Sequence, residues 1–421
     1  MVRAYLTLLA GLCALLLAPL CAYAVDYYTR LPGPSDWTAN NVWSTVGCDG
    51  ASAGGADPGG GDTATICAGH TIRLNANRTV LGVTVQNGGT LQFGNNNTAR
   101  TLTVANGGAG NVTIDAGGTL TVNPGSNTTH TLNVDGDLTN NGTLNFRPDA
   151  NSLANVTFNG NGSRTVSGTG GTTQFNRITL NMGTSYANEL DVTVSNFAAP
   201  SNFLTITNGT YKHSNTSAIT PWTAAVTIPA TGGFWLNGAA TVTTGNFNVT
   251  VNGLFRVSAG TMTVGTANTD RLLLGNFATA LFRMDGGALT VTGGINSTST
   301  AGAGTFTMNG GSILLHNISA GAVESLMLGS ATTFNMSGGS ITCQIGNNAA
   351  DDVNIRSLTQ NVTGGTLQFG YASTSGANPF LLINTRAAGA VVNVWNLVLA
   401  SGIAKTTQIG RTVNVLNDLT I

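Results

Sequence analysis

The sequence predicts an all-β chain wound into a parallel β-helix, and three observations predict it. A small turn pair followed by an alternating strand recurs at intervals of 24–29 residues. On both sides of each turn apolar and polar residues alternate, the period of a half-buried strand. The composition suits strands and bends: 57 Gly, 64 Thr and 47 Asn make up 168 of the 421 residues, and only 8% of residues are charged, against about 25% in ordinary domains.

That composition excludes other classes. Coiled coils and helical bundles need the Glu and Lys that are scarce here, with Glu only at Glu189 and Glu324 and Lys only at Lys212 and Lys405. A net charge of −1 leaves no basic face for nucleic acid. Disordered chains are poor in apolar residues, and this one is 41% apolar.

Residues 1–24 read as a secretory signal peptide, with Arg3 as its positive end, an apolar run from Leu6 to Leu20 and the cleavage site Ala22-Tyr23-Ala24. The run is shorter than the ~20 apolar residues that span a bilayer. The expected destination is extracellular or the cell surface, with no membrane contact after cleavage. Three cysteines then remain: Cys48, Cys67 and Cys343. In an oxidising compartment Cys48 and Cys67 are expected to form a structural disulfide that closes a Gly-rich loop. His70 lies three residues after Cys67, yet no fourth zinc ligand is evident. Cys343, within Ile341-Thr342-Cys343-Gln344-Ile345, reads as a small buried residue in a strand.

Residues 25–69 differ in kind from the rest. Trp37 and Trp43 precede a loop containing Ala53-Gly54-Gly55 and Pro58-Gly59-Gly60-Gly61-Asp62, after which alternation begins at Thr65. An open first coil would recruit other chains through its free edge, so this region is expected to cap the rod. The alternative is a carbohydrate pocket built on Trp37 and Trp43.

The solenoid is expected over residues 70–421. Its units are Gly88-Gly89-Thr90-Leu91-Gln92-Phe93, Gly117-Gly118-Thr119-Leu120-Thr121-Val122 and Asn141-Gly142-Thr143-Leu144-Asn145-Phe146. After a degenerate stretch they return from Ala259-Gly260-Thr261-Met262 onward, at Gly286-Gly287, Gly310-Gly311, Gly338-Gly339 and Gly364-Gly365. Phe255, Phe282, Phe306 and Phe334 each sit four residues before such a turn. One unit cannot bury its apolar face alone, and stacking in register buries it against the units above and below. Roughly 13 coils at the ~4.8 Å strand spacing would make a rod about 60 Å long. Thr suits the outward positions, and Asn suits the bends, where copies in successive coils can form ladders. Like charges stacked at that spacing repel, which accounts for the scarcity of Lys, Asp and Glu. The end of the sequence echoes an earlier unit, Val413-Asn414-Val415-Leu416 against Leu132-Asn133-Val134-Asp135, without the strand that follows the first copy. The expectation is a piece truncated at its C-terminal end, with a further domain beyond.

The Gly-Gly-Thr-Leu units resemble those of the secreted bacterial right-handed parallel β-helix proteins of pectin-lyase-like architecture. The series Trp37, Trp43, Pro58-Gly59, Asp62, Ile66 and Gly69-His70-Thr71-Ile72 is similar to the start of bacterial surface β-helix proteins that carry G8-like regions. The resemblance implies a right-handed rod of the surface or adhesin type.

Some β-helix proteins cut acidic polysaccharides, which needs paired carboxylates or a base with bound Ca²⁺. Asn268-Thr269-Asp270 and Asp351-Asp352 resemble two polygalacturonase motifs, making Asp270, Asp351 and Asp352 the catalytic candidates. In that family the two lie about one coil apart and are followed by Gly-His-Gly and Arg-x-Lys. Here they are 81 residues apart and neither follows. Asp351-Asp352 would also be the place for Ca²⁺; no other cofactor or metal site is read from the chain. His130 reads as a bend residue ahead of Thr131-Leu132. Arg256 and Arg283 share one register, as Phe-Arg-Val and Phe-Arg-Met, and would place a basic strip against an anionic glycan, unless they pair with nearby Asp. The function expected is therefore a structural or adhesion rod with weak multivalent binding to extracellular glycans or surface proteins. The alternatives are a polysaccharide lyase or hydrolase with an atypical site, and a plain spacer.

Overall fold

The computed structural model describes residues 24–94, 96–105, 110–316, 324–344, 352–370, 380–384, 390–399 and 407–421. The expected signal peptide lies outside the described residues except for Ala24. The described chain is all β, without helix, stacked into a β-solenoid of about 12 turns, consistent with a parallel β-helix.

A typical coil carries three short strands, and most strands pair in parallel with their counterparts one coil before and one coil after. Val112 of Val112–Ile114 lies between Val83 and Leu138, and Leu120 of Thr119–Val122 lies between Leu91 and Leu144. Within most strands burial alternates, as in Thr119–Val122, where Leu120 and Val122 are buried while Thr119 and Thr121 are not; Ile295–Ser297, Leu326–Leu328 and Val353–Ile355 are buried throughout. In-register stacking turns sequence positions into columns that run the length of the stack.

The inward columns form the core. Phe93, Phe146, Phe175, Phe197, Phe203, Tyr211, Phe234, Phe255, Phe282, Phe306 and Phe334 make a chain of ring contacts with centroids 4.7–6.2 Å apart. The recurrent Phe of the repeat is thus an aromatic ladder, beside a second column in which Met284, Met308 and Met336 are in register. Cys343 is a free, buried cysteine closing the strand Ala331–Cys343, and burial raises its pKa well above the ordinary thiol value.

The paired glycines serve two ends. Gly117 adopts φ +81°, which L-residues with a side chain avoid, and at Gly118 a Cβ would lie 2.5 Å from the Val85 carbonyl oxygen of the preceding coil. In the later units the roles are exchanged: Gly311 has φ +75°, while Gly310 abuts the Asp285 carbonyl.

Asn pairs form across coils, mostly on strand faces, with Asn176 at a bend also donating to Asn155 at 2.7 Å. Asn361 donates to Asn335 at 2.8 Å, Asn208 to Asn181 at 2.8 Å and Asn417 to Asn396 at 2.8 Å. All six residues lie in strands, where equivalent amides sit one spacing apart.

The N-terminal segment joins the stack. Asp26–Thr29 pairs in parallel with Thr63–Ile66 and antiparallel with Trp43–Ser44, and Pro34–Asp36 pairs with Thr71–Leu74. Cys48 and Cys67 form the expected disulfide, with Cα atoms 5.8 Å apart and a sequence separation of 19.

Among the described residues the stack is interrupted on two faces, and on one of them Phe197–Ala198 pairs only backward, with Thr172–Gln174. Leu204–His213 pairs with Arg177–Asn181 on one side, and at the corresponding place in the next coil Val226–Ile228 pairs only forward, with Val249–Val251. Pro221 and Pro229, which lack the N–H a ladder requires, flank this second strand.

Candidate functional site

Charge is rare here, so the place where it gathers is informative. The coil register brings Asp191, Lys212, Trp235, Arg256, Arg283, Thr307, Asn335 and Asn361 into one outward column. Each is half-buried, as neighbours above and below cover its flanks, except Asn361, which is exposed.

The column is continuous in its contacts. Lys212 Nζ lies 3.0 Å from Asp191 and 3.4 Å from Glu189. It also lies 4.3 Å from the centre of the Trp235 ring, and the Arg256 guanidinium lies 3.8 Å from that ring. Trp235 Nε1 donates to Ser258 Oγ at 2.7 Å. Arg256 and Arg283, stacked directly upon each other, both donate to Asp285, at 2.7 and 2.9 Å, and Asn309 adds a third bond at 2.8 Å. Beyond Arg283 the column becomes neutral, Asn335 donating to Thr307 and Asn361 to Asn335.

These contacts set the protonation states. For Lys212 burial alone lowers the pKa, and Asp191 and Glu189 outweigh it, so the ammonium is held above its ordinary value. Burial likewise acts to raise Asp285, and the bonds from Asn309, Arg283 and Arg256 outweigh it, so the carboxylate is held below its ordinary value. Three cations face three carboxylates. The basic strip expected of Arg256 and Arg283 is corrected accordingly: the column is charge-compensated, because stacked guanidiniums need a carboxylate between them. Of the ion-paired side chains here Arg283 is the most open, at 40% exposure.

Lys212 and Trp235 were not singled out by sequence. Their signal was one-coil spacing: Lys212, Trp235, Arg256 and Arg283 follow one another at intervals of 21–27 residues.

The other expected site residues lie elsewhere. Trp37 and Trp43 are 0% and 1% exposed, with ring centroids 4.7 Å apart and Trp43 Nε1 donating to the Trp37 carbonyl at 2.8 Å. They are core, and as glycan contacts they are corrected: neither indole offers a face to solvent. Cys67 is consumed by the disulfide, and His70, buried beside it, bonds Thr29 Oγ1 at 2.8 Å and Asp49 at 3.2 Å, so the pair makes no zinc site.

Asp270 is buried, and its Oδ2 accepts from the backbone N–H groups of Thr266 and Ala267, each at 2.7 Å. Asp352 is fully buried and accepts from the Leu381 N–H at 2.7 Å. Both carboxylates hold backbone in place, and neither faces a groove where a glycosidic bond could lie. Asp351 lies outside the described residues. Among the described residues, no three His, Cys, Asp or Glu side chains converge to hold a metal ion.

His130 is corrected too. It lies inside the strand Thr129–Val134, fully buried, with Nδ1 accepting from the Arg100 N–H at 3.0 Å and its ring against Phe93.

Comparison of the chain with protein-family models, with curated proteins and with solved structures finds no match in any of the three.

Proposed function

We propose that the chain is a secreted or cell-surface β-solenoid rod that contacts extracellular glycans weakly and repeatedly along its outward column. The observation that supports this reading is the column itself. Planar donors and acceptors, an indole edge, two guanidiniums, a carboxylate and an amide ladder stand in a single line at the strand spacing of about 4.8 Å. A polymer of hydroxylated rings can meet the same chemistry at every step, each contact weak and the sum useful. Because the charges cancel within the column, the reading favours neutral or mixed glycans over strongly anionic ones.

The test is retention of the purified rod on immobilised neutral and polyuronic polysaccharides, beside the Arg283→Ala variant. The expected result is binding to a neutral polymer, weakened roughly 2- to 10-fold in the variant, the worth of one hydrogen-bonding group. Equal retention of both proteins, or release of new reducing ends or unsaturated products from the polymer, would contradict the reading.

A further inference from the structure

The interruption in the stack encloses a cavity of about 250 Å³ between Leu204–His213 and the strand Val226–Ile228. Alternate residues of a parallel strand bond to opposite neighbours. Ile178 N–H donates to the Phe203 carbonyl at 2.7 Å, so Leu204 and Ile206 turn their backbone groups toward the break. On the far side Val226 N–H donates to Asn248 and Ile228 accepts from Asn252, so Thr227 turns its backbone groups toward the break from the opposite bank. Leu204 is satisfied in place: its N–H donates to the Pro221 carbonyl at 3.3 Å, and its carbonyl accepts from Trp222 Nε1 at 3.1 Å. Trp222, buried, thus closes the core beneath the opening, and Ile206 and Val226 are the apolar walls. Asn202, Thr205 and Thr227 supply polar groups at the rim, and none of the lining residues is ionisable.

Shape decides between occupants. A partner strand lying in the gap would have to pass through both ends of it. One end is bridged between coils by Asn202 N–H to the Thr220 carbonyl at 3.0 Å, the other by Gly209 N–H to the Thr231 carbonyl at 3.0 Å and Thr231 Oγ1 to Asn208 at 2.6 Å. The slot therefore takes something compact rather than extended. Apolar walls, an uncharged polar rim and outward-facing backbone groups suit a ring with one apolar face and an edge of hydroxyls.

We propose that this slot is a binding subsite for a single neutral pyranose ring, seated between Ile206 and Val226 and hydrogen-bonded by Asn202, Thr205, Thr227 and the backbone groups of Ile206 and Thr227. It stands on the break alone and shares with the glycan-contact reading only its class of ligand.

Saturation-transfer NMR with methyl glucopyranoside, methyl galactopyranoside, methyl mannopyranoside and methyl glucuronide tests it. The proteins compared are the wild type, Ala225→Phe and Arg283→Ala. Ala225 is exposed at the rim, so Phe there fills the slot without disturbing the core, and unchanged circular dichroism verifies this. At least one neutral glycoside is expected to bind in the millimolar range, at least about tenfold more weakly to Ala225→Phe and equally well to Arg283→Ala. The slot is overturned by a signal that survives Ala225→Phe, by preference for the glucuronide, or by no neutral signal up to about 50 mM. A monosaccharide signal lost in Arg283→Ala and kept in Ala225→Phe belongs to the column, and also overturns it.

Discussion

Asp285 holds two guanidiniums that the coil register would otherwise set one upon the other. Removing it leaves like charges stacked and half-buried. Asp285→Ala is expected to cost about 1.5–3 kcal/mol in chemical denaturation, the range for hydrogen bonds to charged groups. Adding Arg283→Ala to that variant is expected to recover part of the loss, since one of the repelling pair is gone; strictly additive losses would refute the coupling. His130 gives the corresponding pH effect. Burial first, and the Arg100 guanidinium second, push its pKa from 6.5 down to about 4. The accepted bond from Arg100 N–H also requires a bare Nδ1. The unfolded chain therefore takes up the proton more readily than the folded one. Stability should be full above about pH 6.5 and fall as pH drops toward 4. His213, also held low by burial, acts in the same direction. Melting temperatures between pH 4 and 8 test this, with a shallower acid slope expected in His130→Gln.

At the scale of the element, the strand after each glycine pair was readable because two local rules coincide there, a turn that only glycine fits and a strict alternation after it. Gly118 shows why the turn residue is fixed: the neighbouring coil's carbonyl occupies the place of a side chain. Gly118→Ala is expected to destabilise by about 1–3 kcal/mol, as overpacking does. Gly171→Ala, where a Cβ would meet nothing within 4 Å and the backbone is not left-handed, is expected to be near neutral. Equal effects would mean that the glycines serve chain flexibility rather than close approach. The misread elements share a cause. Trp37 and Trp43 looked like a sugar platform because aromatic residues near a loop read the same whether they face in or out. His130 looked like a bend residue because the strand Thr129–Val134 begins two residues earlier than its counterpart in the preceding coil, Thr101–Val104. The degenerate stretch of repeat signalled that stacking changes there, but which strands fail to pair depends on contacts across coils.

Across the described molecule, one principle joins composition, core and surface: most strand residues sit beside their counterparts in the coils above and below. Inward, this makes an aromatic chain from Phe93 to Phe334. Outward, it sets opposite charges side by side, as from Asp191 to Asp285. The repeat made the inward columns legible, because apolar positions recur at a near-constant interval. The outward column was only half legible, since its members vary in type and only the register shows that Lys212 reaches Trp235.

The direct measurement of the functional reading is the dependence of binding on glycan length. Neutral oligosaccharides of one linkage, increasing in length, are titrated against the rod by calorimetry, with Arg283→Ala in parallel. The account predicts affinity that climbs with each added unit until the oligomer spans the column, about 35 Å at the strand spacing, with a lower climb in the variant. Affinity that is independent of length and of Arg283 would contradict it.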